Sequence, residues 1–197
     1  MEFVNKTLFV LSDGMLVPVM VALIFFFVRA LILVGGFFGQ AVQRVRSRAA
    51  EKALIDAAKG MDSIASQFES LPLRTTFFAL FTGRMLKEKR EGELSERVLA
   101  EAQIRFDKDC DSLRILMRIG PMLGLMGTII PMGPALTGLA TGDIAMMAQN
   151  MQIAFATTVV GLFCGIVGFV LHAIQKRWHT EDMVGLAHLY EVLHATK

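Results

Sequence analysis

Carboxylates are missing from the stretches of this 197-residue chain where a charge would matter most: no Asp or Glu lies between Ser112 and Gly142, or between Ile144 and Thr180. Cysteine is equally scarce. Cys110 and Cys164 are the only two, one in a charged block and one in an apolar run, so free thiols are expected rather than a disulfide. The segment around Asp143 holds no Lys or Arg. No G-x-x-x-x-G-K-[ST] motif or glycine-rich loop after a strand occurs, so energy for any work must come from an ion gradient and not from ATP bound to this chain. G-x-S-x-G, H-E-x-x-H and C-x-x-C are absent too, and no enzyme is expected. His172, His179, His188 and His194 have no Cys or carboxylate at metal-ligand spacing, so neither a metal nor a cofactor is expected.

What the chain has in abundance is apolar length. It is 54% hydrophobic with a mean hydropathy of +0.53, too apolar for an ordinary soluble domain. Three runs stand out, Met15 to Phe38, Ile115 to Leu139 and Ile153 to Ile174. Each reaches the roughly 20 residues a helix needs to cross a bilayer. The first is not expected to be a cleavable leader, because Glu2 and Asp13 precede it in place of a basic region and no small-residue cleavage site follows. Arg29 interrupts this run; it either snorkels to the headgroups or serves a function within the membrane.

Basic residues set the orientation. They crowd the block between the first two runs, from Arg44, Arg46 and Arg48 to Arg105 and Lys108, and they return at Lys176 and Arg177. The block and the C-terminus are therefore expected in the cytoplasm, with the N-terminus and the Asp143 loop outside. The formal net charge of +2 reflects this topology and not a nucleic-acid surface, so no nucleic acid is expected as a partner.

The reading is an all-α integral membrane protein of three transmembrane helices with a helical cytoplasmic block between the first and second. Its segments are an outer-face amphipathic stretch over 1–14 (Phe3, Val4, Leu8, Leu11), a first span over 15–38, and a cytoplasmic helical region over 39–112. A second span over 113–139, an outer loop over 140–150, a third span over 151–175 and a cytoplasmic C-terminal helix over 176–197 complete it. Within the block, Val45, Ala49, Leu54, Ala58, Met61, Ala65 and Phe68 recur at steps of three and four, which predicts a helix over 42–68. A second helix is expected from about Thr75 to Lys89, and a third begins near Leu94 with Ser95 as its N-cap and continues towards the second span.

The second and third spans carry the pattern of interest. In the second, Gly120 and Gly124 form a small-x-x-x-small pair that Gly127 extends, and the same stripe carries Thr128 and Pro131. In the third, Ala154, Thr158, Gly161 and Gly165 share one narrow face, opposite bulky Phe155, Leu162 and Phe163. Glycine stripes let helix backbones approach closely in lipid. Paired hydroxyls suggest a polar lining, although a transmembrane threonine also bonds readily to its own helix. A proton-moving membrane protein needs a titratable group at mid-bilayer, and neither span supplies one. The simplest completion is a partner helix that does.

Gly120-Pro121-x-Leu123-Gly124-Leu125-x-Gly127-Thr128-Ile129 resembles the second-span signature of the MotA/TolQ/ExbB proton-channel family. Ala154-Phe155-x-Thr157-Thr158-x-x-Gly161-Leu162 resembles its third-span signature. The three-span plan is similar to the TolQ/ExbB branch. The resemblance implies a homopentamer whose second and third spans surround a pore in the cytoplasmic (inner) membrane. Single-span partners of the ExbD, TolR or MotB type would thread it, each bearing one aspartate whose protonation drives rotation. On this chain it assigns the pathway to Thr128, Thr157, Thr158, Pro131 and Ala154, and helix packing to Gly120, Gly124, Gly127, Gly161 and Gly165. Arg114 and Arg118 would stand at the cytoplasmic entrance, as charge-steering groups or as anchors to Asp111 and lipid phosphate. Two departures stand out: Pro131 where the family often has glycine, and Gln152-Ile153 where its members often carry a glutamate.

Overall fold

The computed structural model describes residues 2–56, 61–69, 76–91 and 96–195, which form six helices. These are α1 (Glu2–Gly14), α2 (Leu16–Asp56), α3 (Met61–Glu69), α4 (Phe77–Glu91), α5 (Arg97–Thr141) and α6 (Ile144–Ala195). Among the described residues, α2, α5 and α6 are long and apolar enough to cross a membrane. Of the helix expected over 42–68, the first part is the end of α2 and the last part is α3. Residues 57–60, between them, lie outside the described residues, as does the N-cap expected at Ser95. α5 runs without interruption from Arg97 through the second apolar run. α6 likewise merges the third run with the C-terminal helix. No helix-breaking chemistry separates the apolar and polar halves of either one.

Proline stands at the start of one helix and inside another. Pro18 falls in the first turn of α2, where its missing N–H costs nothing. Pro121, Pro131 and Pro134 lie inside α5, where each removes an i→i−4 hydrogen bond. The helix runs through all three.

The chain divides into two compact units. The first comprises Met1–Val34 and Ser112–His172. Here α5 ends in a Schellman turn. Gly142 adopts φ +78°, its N–H donates to Leu139 O at 3.2 Å, and the Asp143 N–H donates to Gly138 O at 2.8 Å. The Asp143 carboxylate then accepts from the Met146 N–H at 2.9 Å, capping α6. The loop expected over 140–150 thus reduces to Gly142 and Asp143. α5 and α6 form an antiparallel pair, and α2 packs beside them through Phe26, Phe27, Ala30 and Leu33 against Leu116, Val160, Cys164 and Val167. Arg29 donates to Ser112 Oγ at 3.3 Å. Much of this unit's apolar surface faces outward, with Val17, Val21, Ile24, Phe155, Val159 and Ile166 all about half exposed or more. In water such a continuous apolar surface would drive aggregation; in lipid it is the solvated face.

The second unit comprises Gly35–Asp111 and Ala173–Lys197 and has a conventional interior. Leu54, Ile64, Phe78, Met85, Val98, Leu186, Leu189 and Leu193 are all at most 2% exposed and form one cluster. Burying each such side chain contributes roughly 1.5–3 kcal/mol. Thr76 caps α4, accepting from the Ala79 N–H at 3.3 Å while its hydroxyl donates to Glu51 at 2.8 Å. Arg44 of α2 grips Asp182 of α6 with two hydrogen bonds of 2.6 and 2.7 Å and donates to the Trp178 carbonyl at 2.9 Å. Burial works against the Arg44 charge, but Asp182, with Glu51 and Glu181 behind it, outweighs burial and holds the guanidinium pKa above its ordinary value. Trp178 in turn stacks on Phe37 at 5.0 Å.

Candidate ion pathway

Glycine sets how closely α5 and α6 approach. A Cβ added at Gly161 would meet the Gly124 Cα at 2.6 Å and the Gly120 carbonyl at 2.8 Å. One added at Gly124 would meet the Gly161 Cα at 3.1 Å, and one at Gly120 the Cys164 Cβ at 2.8 Å. At Gly165 the obstruction would be the Pro121 ring, 2.5 Å away. Backbone therefore lies on backbone, a packing only glycine permits, and lipid offers helices no hydrophobic drive to replace it.

Thr157 is the threonine at this seam. It is 6% exposed, and a Cβ at Gly127 would come within 2.7 Å of its own Cβ. Its hydroxyl lies within 3.1 Å of the Ile153 carbonyl and 2.9 Å of the Ala154 carbonyl. Ala154 and Pro131 are also buried. Thr128 and Thr158 are half-buried and donate to the Leu125 carbonyl at 2.7 Å and the Ala154 carbonyl at 2.9 Å. Each hydroxyl is thus satisfied by its own helix.

The two half-buried threonines nevertheless share one side. Gly127 faces Thr157 across the seam, and Thr128 and Thr158 are the next residues along, each turned about 100° further around its helix. In an antiparallel pair, equal turns lead to the same flank. The α2 side chains occupy the other flank, against Leu116, Val160 and Val167, with Phe27 on Phe163 at 5.6 Å. Around Thr128 and Thr158, Leu125, Phe155 and Leu162 are 60%, 64% and 51% exposed. This flank is open. Depth agrees as well: a Gly124 Cβ would lie 3.6 Å from the Thr158 Cα, and Thr128 is one turn, about 6 Å, further along α5.

The chemistry available there is narrow. Pro131 cannot supply the amide hydrogen that would bond the Gly127 carbonyl, which leaves a backbone acceptor beside Thr128. Two hydroxyls that now donate within their own helices retain lone pairs and rotate freely enough to accept or donate to an entering group. Neither can hold a proton at neutral pH. Arg114 is half-buried and Arg118 exposed near the start of the apolar part of α5; helical geometry puts Arg114 about 40° from Thr128 and Arg118 about 180° from Gly127, turned away from the seam.

The network around Arg44, Trp178, His179 and Asp182 escaped the sequence reading. Its partners are 134 to 138 positions apart, and only the pairing of α2 with α6 brings them together. An aspartate one helical turn beyond a tryptophan, Trp178 to Asp182, is the one sequence signal that could have pointed to it, and it does not name Arg44 as the partner.

Comparison with known proteins agrees with the helical pattern. Residues 69–185, more than half of the chain, match the MotA/TolQ/ExbB proton channel family. A segment of 79 residues, 40% of this chain, is 32% identical to a putative biopolymer transport protein ExbB homolog of Methanothermobacter thermautotrophicus. The matched segment spans only 28% of that relative's length. With three apolar helices of membrane-crossing length and a match spanning the second and third of their apolar runs, this chain is a membrane protein that belongs to the MotA/TolQ/ExbB proton channel family.

Proposed function

We propose that the chain is the channel-forming subunit of a two-component, proton-driven motor of the TolQ/ExbB kind. It assembles as a homopentamer in the cytoplasmic membrane, with its N-terminus outside and its C-terminus and the second unit in the cytoplasm. A single-span partner of the ExbD, TolR or MotB type brings the aspartate that the spans lack, and the proton motive force powers transport or envelope work. The chain itself has no catalytic role. The observation that carries this reading is the open flank, on which Thr128 and Thr158 stand at similar depth with no carboxylate of their own. A carboxylic acid entering there would find hydroxyls able to donate to its charged form and accept from its neutral form, which lowers the cost of moving it between states in a low-dielectric site.

The bonding of both hydroxyls within their own helices favours a second reading, a passive membrane scaffold whose glycine seam only oligomerises the chain while its cytosolic helices dock a soluble partner. Proton flux into liposomes separates the two. The chain is reconstituted with and without the aspartate-bearing partner. Flux that requires both chains, and disappears with Thr128→Val or Thr158→Val while assembly survives, supports the motor. Flux indifferent to these changes leaves the scaffold.

A further inference from the structure

His179 lies on α6 in the second unit and is 7% exposed. Its ring meets Phe77 of α4 at 4.7 Å and Phe106 of α5 at 5.0 Å, both edge-on. Its Nε2 stands 3.4 Å from the Gln175 amide nitrogen, and its Nδ1 is buried with no hydrogen-bond partner among the described residues. A neutral imidazole fits this setting better than a charged one, because Nε2 can accept from the amide and only the Nδ1–H is left without an acceptor. An imidazolium must donate from both nitrogens.

The neighbouring charges are already committed. On α2, Arg44 holds both carboxylate oxygens of Asp182 from α6. On α5, Asp109 stands 3.4 Å from Arg105, and Glu101 holds Arg84 of α4 at 2.8 Å. Burial first, and Arg44 after it, hold the His179 pKa below histidine's ordinary value, against the opposing pull of Asp182 and Asp109. A cleft of about 470 Å³ opens onto the ring, lined also by Arg44, Phe77, Arg105 and Asp109. Water and protons therefore have a route to a side chain that is otherwise enclosed.

We propose that His179 is a proton-binding latch, which joins α4, α5 and α6 while neutral and loosens their packing when it takes up a proton from the surrounding compartment. Its significance rests on the channel reading: protons carried through the pore arrive in that compartment, so the latch would let the helical unit respond to the channel's own output. The latch itself is a property of this unit and is testable without flux. Its sign follows from linkage. The unfolded chain takes up a proton near the ordinary histidine pKa of about 6.5, while the folded chain takes it up only at lower pH, so stability falls as pH drops through that window.

Amide hydrogen exchange on the full chain in lipid nanodiscs tests this at pH about 7.5 and about 5.5, with rates corrected for intrinsic chemistry. α4 and the 173–186 part of α6 are expected to exchange faster at the lower pH by up to about tenfold, the ceiling for one proton about one unit below the unfolded pKa. His179→Phe, which retains a ring between Phe77 and Phe106, is expected to remove the acceleration. Persistence of the acceleration in that variant, or its absence in the original chain, overturns the latch. A direct titration guards against a misfolded variant. The imidazole resonance of His179 in the original chain, identified by its loss in His179→Gln, should titrate below histidine's ordinary pKa and over the same range as the loosening. Titration at histidine's ordinary value, or loosening outside its range, overturns the proposal whatever the flux measurements show.

Discussion

Gly161 shows what a single residue controls in this chain. A methyl group there meets Gly124 and Gly120 backbone atoms at under 3 Å, and backbone cannot move aside as a flexible side chain can. Gly161→Leu is therefore expected to cost roughly 3 kcal/mol or more, the upper range for overpacking, read from unfolding in mixed micelles. Gly35→Ala is the matched control. Nothing lies within 4 Å of its added Cβ, so it should be neutral or stabilise by up to about 1 kcal/mol through helix propensity. Asp182→Ala is predicted to be as damaging as Gly161→Leu for a different reason. It strands the Arg44 guanidinium, 15% exposed, without its bidentate acceptor, a loss of about 3 kcal/mol for a buried pair. Denaturant titration of the full chain checks both. The importance of Gly161 was legible as a small-x-x-x-small pattern, whereas that of Asp182 was not, because its partner is 138 positions away.

Among the elements, α5 and α6 decide the most. The threonine spacing pointed to Thr128 and Thr158 as a lining, and helical arithmetic applied to the folded pair puts both on the flank that α2 leaves open. Thr157 differs in kind, since it packs beneath Gly127. Thr157→Val is therefore expected to preserve assembly and leave proton flux within a few-fold of the original. Thr158→Val, in the proposed function, is expected to preserve assembly and abolish flux. Liposome flux beside a measurement of oligomer size distinguishes them, and equal effects of the two substitutions would remove the distinction between seam and lining. Sequence periodicity singled out Thr158 and the family resemblance added Thr157, but neither could separate seam from lining, because neighbours about 100° apart straddle a packing boundary that only the partner helix defines.

Over the whole molecule, the first unit faces outward with apolar surface and the second encloses a core. The two cysteines sample both, Cys164 in the first and Cys110 in the second, at 0% and 1% exposure. A maleimide probe is expected to leave both unmodified in the native membrane-embedded chain and to label both after denaturation. Rapid native labelling at Cys110 alone would show that the core of the second unit opens readily. That the two cysteines form no disulfide followed from their placement in the sequence; that both are shielded did not.

Composition and periodicity alone determined that this chain is helical, that three helices are long and apolar enough to cross a bilayer, and that the last two carry a glycine-and-threonine signature without a carboxylate. Those features are written locally, in runs of hydropathy and in spacings of three and four. Only the tertiary structure decided that the loop after α5 shrinks to Gly142 and Asp143, that Thr157 lies in the seam while Thr128 and Thr158 share its open flank, and that Arg44, Asp182 and His179 form a buried polar centre. Each of these depends on which helix faces which, and on whether water is excluded between them. Burial and pairing are properties of neighbours in space, and a linear spacing cannot encode them.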